Sequence, residues 1–263
     1  MLKIDYSYHT HTYRCGHACG EDEDYILDAI KYGLKRLGMS DHIMLPKIHQ
    51  EGMRGDYHLL KDYLISFRYL QKKYVKQIDL KLGFEAEYSP ELLQYYKSLL
   101  NSKKIDYLIL GQHCFMKNGV MTWYASLPYS LGICKYTDDL IEGMSTGLFK
   151  YVAHPDLFVY LFPRWDEKTK CCAQKIIDAA VQYDIPLEIN LAHARYYGLG
   201  YISPTTRFTY PFIPFWEMVA KSKARVVIGF DAHMPEHILK PGLNYVEEII
   251  AQTGVKVDCN YKI

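Results

Sequence analysis

Short apolar runs alternate along the chain with longer stretches whose apolar residues recur at helical spacing, and a metal-ligating residue type closes most of the short runs. Residues 2–8 read as the first strand. Ile26, Ile30 and Leu34 stripe the helix after it, whose opening Glu21-Asp22-Glu23-Asp24 suits a helix N-terminus and which is predicted to reach Arg36. The alternation continues with a short run at 37–40 closed by Asp41-His42, a helix within 56–77 and a strand from Leu80 to Glu87. A helix from Pro90 to Leu100 and a strand over 105–113 come next. Glycine-punctuated residues 120–148 predict an elaborated loop and then a helix. Beyond them the pattern predicts strands at 150–155, 185–190 and 225–231, and helices at 166–184 (Asp166 as N-cap), 214–222 and about 241–252.

Seven strands alternating with helices predict an α/β fold with a parallel sheet, the order of elements found in barrels and open α/β sheets. No repeat, low-complexity stretch or linker divides the chain, so residues 1–263 are expected to form one domain. In such folds the functional face lies at the C-terminal ends of the strands. Those ends are where the histidines collect.

Composition narrows the function classes. A net charge of +1 carries no electrostatic footprint for nucleic acid, and no apolar run approaches the roughly 20 residues that span a bilayer, so neither nucleic acid nor membrane is expected as a partner. The seven cysteines include no paired CxxC, and no basic-then-apolar leader precedes Lys3, which reads as a reduced, cytoplasmic protein. Cys15, His17 and Cys19 could form one half of a zinc knuckle, but no second half exists elsewhere. The sequence says nothing about oligomeric state.

His9-Thr10-His11 puts two imidazoles on one face at the end of the first strand, which is half of a metal site. Strand ends add His42, Glu85 and Glu87, His113, His154, Asp231 and His233, and the first loop adds His17. Of eleven histidines, only His49, His58, His193 and His237 fall outside this set. The joint pattern points to a multinuclear metal site at the C-terminal ends of the strands.

His9-x-His11, Cys15-Gly-His17-Ala, Met39-Ser-Asp-His42, Gly83-Phe-Glu85, Leu110-Gly-Gln-His113, His154-Pro155-Asp156 and Gly229-Phe-Asp231-Ala-His233 resemble the motifs of the PHP (polymerase and histidinol phosphatase) family. Glu85-Ala-Glu-Tyr, His113-Cys-Phe and Glu188-Ile-Asn followed by Arg195 are similar to its histidinol-phosphate phosphatase branch. The resemblance implies a distorted (β/α)7 TIM-like barrel holding three divalent ions, often zinc, manganese or iron. Carried over by residue, it implies one ion at His9, His11, Glu85 and Asp231, a second at His17, His42 and His233, and a third at Glu85, His113 and His154. Glu85 would then serve two ions, one through each carboxylate oxygen. Glu87 is the rival to Glu85. The family's acid two residues before the first histidine is replaced by Ser7, which predicts a less well supported His9.

The implied reaction is hydrolysis of L-histidinol phosphate to L-histidinol and phosphate in histidine biosynthesis, with no nucleic acid or membrane involved. Metal ions polarise phosphoryl oxygens and activate water, so no serine or cysteine nucleophile is required. Arg195 and Arg164 are the expected phosphate-binding residues, since a guanidinium fork suits phosphate oxygens, with Arg14 and Arg207 behind them. Asp231 and His233 complete the catalytic set, His233 as one source of the leaving-group proton. Glu87, Asp156, Tyr88 or Phe115 would wall the histidinol group. Alternatives are a PHP-type phosphoesterase acting on another phosphomonoester or a nucleotide, and an amidohydrolase-type hydrolase, which would need a bridging lysine near strand four. A non-catalytic docking barrel would have lost ligands.

Overall fold

A computed structural model describes residues 2–199 and 208–263. Strand β1 (Tyr6–Ser7) pairs in parallel with β2 (Arg36–Met39), β2 with β3 (Asp79–Ala86), and β3 with β4 (Tyr107–Leu110). An antiparallel hairpin of β5 (Cys114–Lys117) and β6 (Val120–Trp123) follows, and β7 (Leu187–Asn190) pairs in parallel with β8 (Val226–Gly229). The two parallel groups are linked by Val152, which bridges Leu110 on one side and Leu187 on the other. At the far edge Thr10 bridges Ala232, through His11 N–H to Ala232 O (2.8 Å) and Ala232 N–H to His9 O (3.2 Å). The result is an α/β fold whose parallel sheet is curled, with all its C-terminal strand ends on one side.

Helices α1 (Asp22–Tyr32), α2 (Leu60–Lys73), α3 (Leu93–Asn101), α4 (Tyr129–Ser145) and α5 (Phe158–Leu161) precede α6 (Glu167–Gln182). After it come α7 (Ala192–Tyr197), α8 (Ile213–Ala220), α9 (Glu236–Leu239) and α10 (Leu243–Thr253). Their apolar faces and one face of the sheet form the larger core. None of the described helices is long and apolar enough to cross a membrane.

The other face of the sheet lines the inside of the curl, and there the packing is aromatic. Tyr6 and Tyr8, Tyr107 and Ile109, Tyr151 and Ala153 recur two residues apart, as one strand face requires, and Tyr261 closes the cluster from the C-terminal tail. These phenols are satisfied by backbone: Tyr107 donates to Tyr8 O (2.7 Å), Tyr6 to Asp258 O (2.8 Å) and Tyr261 to Lys150 O (2.8 Å). Tyr107 fits only because its neighbours lack side chains. A Cβ on Gly38 would lie 2.3 Å from its hydroxyl oxygen, and one on Gly83 2.5 Å from its ring.

Three expectations change. Helix α1 stops at Tyr32 rather than Arg36, because Gly33 takes a left-handed conformation (φ 95°) and Arg36 already belongs to β2. Residues 150–155 contribute one bridging residue, Val152, paired on both sides, in place of a regular strand. Residues 114–123, of which 120–123 are expected to open the elaborated loop, are the β5–β6 hairpin. Its turn is Asn118-Gly119, both at positive φ (52° and 79°), the pairing that two-residue hairpin turns require. Asp166 caps α6 as expected, accepting from Thr169 N–H at 3.0 Å.

Gly83→Ala is expected to destabilise the fold by about 1–3 kcal/mol through overpacking against Tyr107. Equilibrium urea unfolding checks this, and a ΔΔG near zero would show that the ring can move aside.

Candidate metal centre

The curl brings the strand-end ligand types together. His9 and His11 follow β1, His42 follows β2, and Glu85 lies within β3, where it bridges His42. His113 stands between β4 and the hairpin, His154 just after the Val152 bridge, and Asp231 and His233 after β8. His154 and Asp231 leave their strands with φ at 31° and 47°, a left-handed conformation that non-glycine residues seldom take.

The donor atoms fall into compact groups, each with its atoms within 4.8 Å of one another: His9, His11 and Asp231; His17, His42 and His233; and Glu85, His113 and His154. A further grouping, His11, His42 and Glu85, links the first two to the third. Glu85 Oε2 faces His9 Nε2 (3.4 Å), His11 Nε2 (3.5 Å) and His42 Nδ1 (3.1 Å), while Oε1 faces His154 Nε2 (2.8 Å) and His113 Nε2 (3.4 Å). Each oxygen of this buried carboxylate therefore addresses a different group. Glu87 does not compete: it is buried in an ion pair with Arg54 (2.8 Å) and approaches His113 Nδ1 at 3.4 Å, so it orients that ring from behind.

The hydrogen bonds fit divalent cations. His9 Nε2, His11 Nε2 and Asp231 Oδ1 converge at 3.2–3.5 Å with no hydrogen-bond partner, although buried polar atoms normally have one. His17 and His233 each place Nδ1 against a backbone carbonyl, of Cys15 (3.3 Å) and Asp231 (3.2 Å). With Nδ1–H donated, their two Nε2 atoms face each other at 2.9 Å, an arrangement that either a proton held on His233 or a metal ion satisfies.

The missing acid at position 7 is supplied from elsewhere. Glu188, fully buried in β7, accepts from His9 Nδ1 (2.9 Å), from His154 N–H (3.1 Å) and from Asn190 Nδ2 (2.8 Å). Asn190 spends its other N–H on Asp231 Oδ2 (3.1 Å), which leaves Oδ1 for the centre. The expectation of a poorly supported His9 is thus overturned: a carboxylate holds its tautomer, arriving from β7 instead of β1. Two glycines clear the space. A Cβ on Gly229 would lie 1.7 Å from Glu188 Oε1, and one on Gly111 2.0 Å from Glu85 Oε1.

Electrostatics follow from this packing. Burial raises the carboxyls of Glu85 and Asp231, but the surrounding imidazoles outweigh it and hold both well below the usual range. Burial drives His42 well down and His11 to about 3, keeping them in the neutral form that binds metal. His9, His154 and His233 go the other way, since the nearby carboxylates Asp231, Glu188 and Glu85 overcome burial and raise them.

The groups open into a cleft of about 400 Å³. Arg195, from α7, lines it: Nη2 donates to Phe230 O (2.5 Å) and Asp231 O (2.8 Å), while the buried Nε and Nη1 have no partner among the described residues. Arg164 is not brought in. It is exposed and lies over the Tyr129 ring at 4.6 Å, away from the cleft lining. Arg14 is tied to Asp22 and Asp62, and Arg207 lies outside the described residues.

His193 and His237, set aside on sequence, both line the cleft. His193 stacks on Tyr210, with ring centroids 4.0 Å apart. His237 Nδ1 accepts from His233 N–H (3.2 Å), so its Nε2–H faces the Tyr196 hydroxyl (3.2 Å) and ties α7 to the β8 end. The i, i+4 spacing from His233 to His237 was the available sequence signal. Of the proposed knuckle, Cys15 lies near His11 and His233, while Cys19 is exposed and joins no donor group among the described residues. The expected substrate wall also fails: Asp156 is buried under Phe212 and Trp216, Tyr88 donates to Glu142, Phe115 packs on Tyr124, and none of them lines the cleft.

A family model described as the PHP domain matches residues 7–192. A protein of Deinococcus radiodurans named probable histidinol-phosphatase is 26% identical over 239 residues, covering 88% of this chain and 86% of that protein. One of the same name from Schizosaccharomyces pombe is 24% identical, covering 91% and 83%. A solved structure of histidinol phosphate phosphatase from Lactococcus lactis subsp. lactis, complexed with zinc, L-histidinol and phosphate, superposes with a TM-score of 0.69 at 16% identity, covering 98% of this chain and 96% of that one. That likeness is one of fold.

Glu188→Gln is expected to weaken metal affinity about 10- to 100-fold, because an amide in place of the acceptor carboxylate loosens the tautomer of His9. Elemental analysis after gel filtration checks it, and full metal content would refute the role. Loading metal into apoprotein near pH 7 is expected to release protons, since His9, His154 and His233 are raised without metal and must be neutral to ligate. Affinity then increases as pH rises through those values. Calorimetry in buffers of different ionisation enthalpy reads the proton number directly, and a buffer-independent heat would contradict this.

Proposed function

The chain belongs to the PHP domain family, and on that footing we propose that it is a metal-dependent phosphomonoester hydrolase converting L-histidinol phosphate to L-histidinol and phosphate. The observation that carries this reading is the set of donor groups facing one cleft beside Arg195, a buried guanidinium with two nitrogens unengaged among the described residues. The histidinol-phosphatase names of both sequence relatives, each aligned over most of its length, support the substrate.

We read the curled sheet as a distorted (β/α)7 barrel in one domain, with the segment around Val152 as the fifth strand and the Thr10–Ala232 bridge as the closure. Three ions are proposed: one on His9, His11, Asp231 and Glu85 Oε2, a second on His17, His42 and His233, and a third on Glu85 Oε1, His113 and His154. Imidazole and carboxylate donors suit zinc, manganese or iron. When bound, the ions supply Lewis acidity toward the phosphoryl oxygens and a water acidic enough to attack near neutral pH.

The chain's own residues do the positioning. Arg195 offers Nε and Nη1 to phosphate oxygens while the carbonyls of Phe230 and Asp231 fix the plane of its guanidinium. Desolvation lowers its pKa, so an incoming dianion meets a cation that is poorly compensated and interacts strongly. His233 and Asp231 are assigned to ligation: with Nδ1–H donated to a carbonyl and Nε2 in a donor group, His233 has no proton to deliver to a leaving group. Arg164 takes no part in this assignment. An amidohydrolase-type centre would need a lysine at the end of β4, where Gly111, Gln112 and His113 stand.

Protein stripped of metal and reloaded is expected to release phosphate from L-histidinol phosphate at least tenfold faster, as kcat/KM, than from an aryl phosphate or a nucleoside monophosphate. Faster turnover of either rival would transfer the assignment to another phosphomonoesterase. Arg195→Ala is expected to lower kcat/KM about 100-fold, the scale for losing a charged hydrogen-bond donor to an anion, with metal content intact. Loss of metal in that variant would show that Arg195 supports ligation instead.

A further inference from the structure

Beyond the donor atoms and Arg195, the cleft has a wall of different character. Met53, Trp123, Leu157, Tyr160 and Leu161 line it. The carboxylates in its lining are Glu85 and Asp231, and both belong to the donor groups. Residues 200–207, Gly-Tyr-Ile-Ser-Pro-Thr-Thr-Arg, contain no acid in their sequence. An aminoalkyl phosphate held at Arg195 therefore finds rings and aliphatic carbon along this wall; Glu236 lines the adjoining recess beyond Arg195, Tyr196 and His237, not the wall itself.

Trp123 is the wall residue whose position the fold fixes most directly. It ends β6, directly opposite Cys114, the residue after the donor His113. The next residue, Tyr124, is fully buried and pins the hairpin: its hydroxyl donates to Asp139 (2.6 Å) and accepts from Gln112 Nε2 (2.6 Å). Gln112 also donates to Cys114 O (3.2 Å) and accepts from Tyr88 N–H (2.7 Å). The indole is thus carried on a braced two-stranded arm rooted beside the metal donors, yet it remains 46% exposed. A large aromatic side chain held half open at the rim of a cleft is available for contact with a flat ligand group.

We propose that Trp123 is a specificity-determining residue, and that the cleft selects its phosphomonoester by an aromatic ring on the leaving group more than by its ammonium. This rests on the phosphomonoesterase reading and adds how the leaving group is recognised. Stacking on the indole favours a planar ring, and a nearby cation over an aromatic face gains a modest attraction without any acidic partner.

The test compares three esters in metal-loaded enzyme: L-histidinol phosphate, 3-(imidazol-4-yl)propyl phosphate, which keeps the ring and lacks the amine, and 2-aminoethyl phosphate, which keeps the amine and lacks the ring. In the wild type the amine-free ester is expected within about tenfold of L-histidinol phosphate in kcat/KM, and the ring-free ester at least 100-fold below it. Trp123→Ala is expected to raise KM for both ring-bearing esters about tenfold, leaving kcat, metal content and turnover of 2-aminoethyl phosphate unchanged, and Trp123→Phe to restore most of the loss. An amine-free ester more than 100-fold poorer than L-histidinol phosphate would overturn the proposal, as would equal losses for all three esters in Trp123→Ala. Robust hydrolysis of 2-aminoethyl phosphate with neither ring-bearing ester turned over would overturn it while leaving a phosphomonoesterase. Failure to hydrolyse any phosphomonoester would remove the underlying function as well.

Discussion

The architecture turns on one buried carboxylate. Glu85 sits in the middle of the paired strands and addresses histidines from four different chain segments, three through Oε2 and two through Oε1. Such a group is costly to bury unless it is surrounded by cationic or hydrogen-bonding partners. The strand register satisfies that demand: His42 bridges Glu85 across the sheet, and Gly111 on the neighbouring segment leaves the volume its Oε1 occupies. The curl of the sheet and the convergence of the histidines are therefore one geometric fact. Flattening the sheet would strand this charge without partners.

Beneath that centre lies the tyrosine layer of Tyr6, Tyr8, Tyr107 and Tyr151, closed by Tyr261. The hydroxyls of Tyr6, Tyr107 and Tyr261 return to backbone carbonyls, so these bulky polar side chains fill the inside of the curl with their polar ends paired. Such a floor keeps the donor loops at one height. Glycines at 38 and 83 admit Tyr107, just as Gly229 admits Glu188 at the level above. Small residues on one strand thus decide where large or charged ones on the next can stand.

What the sequence made legible was local. His9, His11, His42, His113, His154, Asp231 and His233 each close an apolar run, and that placement alone put them on one face. Hidden were residues whose role depends on a neighbour far along the chain. Glu188 reads as an ordinary strand acid until β7 lies beside the His9 segment, and Ser7 misled because the acid it lacks had another origin. Arg164 and Arg195 looked equivalent after their strands, yet only Arg195 sits on a helix that turns back under the β8 end. The hairpin does carry a local signal, since Asn118-Gly119 is a turn pair set between short runs that contain Phe115, Met116, Val120 and Met121.

His154 and Asp231 both leave their strands in the left-handed backbone region, and each such residue costs of order 1–3 kcal/mol that the surroundings must offset. The offset comes from contacts within the chain. His154 is held by its N–H to Glu188 and its Nε2 against Glu85, and Asp231 by Asn190 and by Arg195 on its carbonyl, so each corner is clamped by the same residues that aim its donor atom. A substitution that relaxes either backbone corner therefore displaces a donor atom with it, and the shape of the chain and the aim of its ligands cannot be changed separately there.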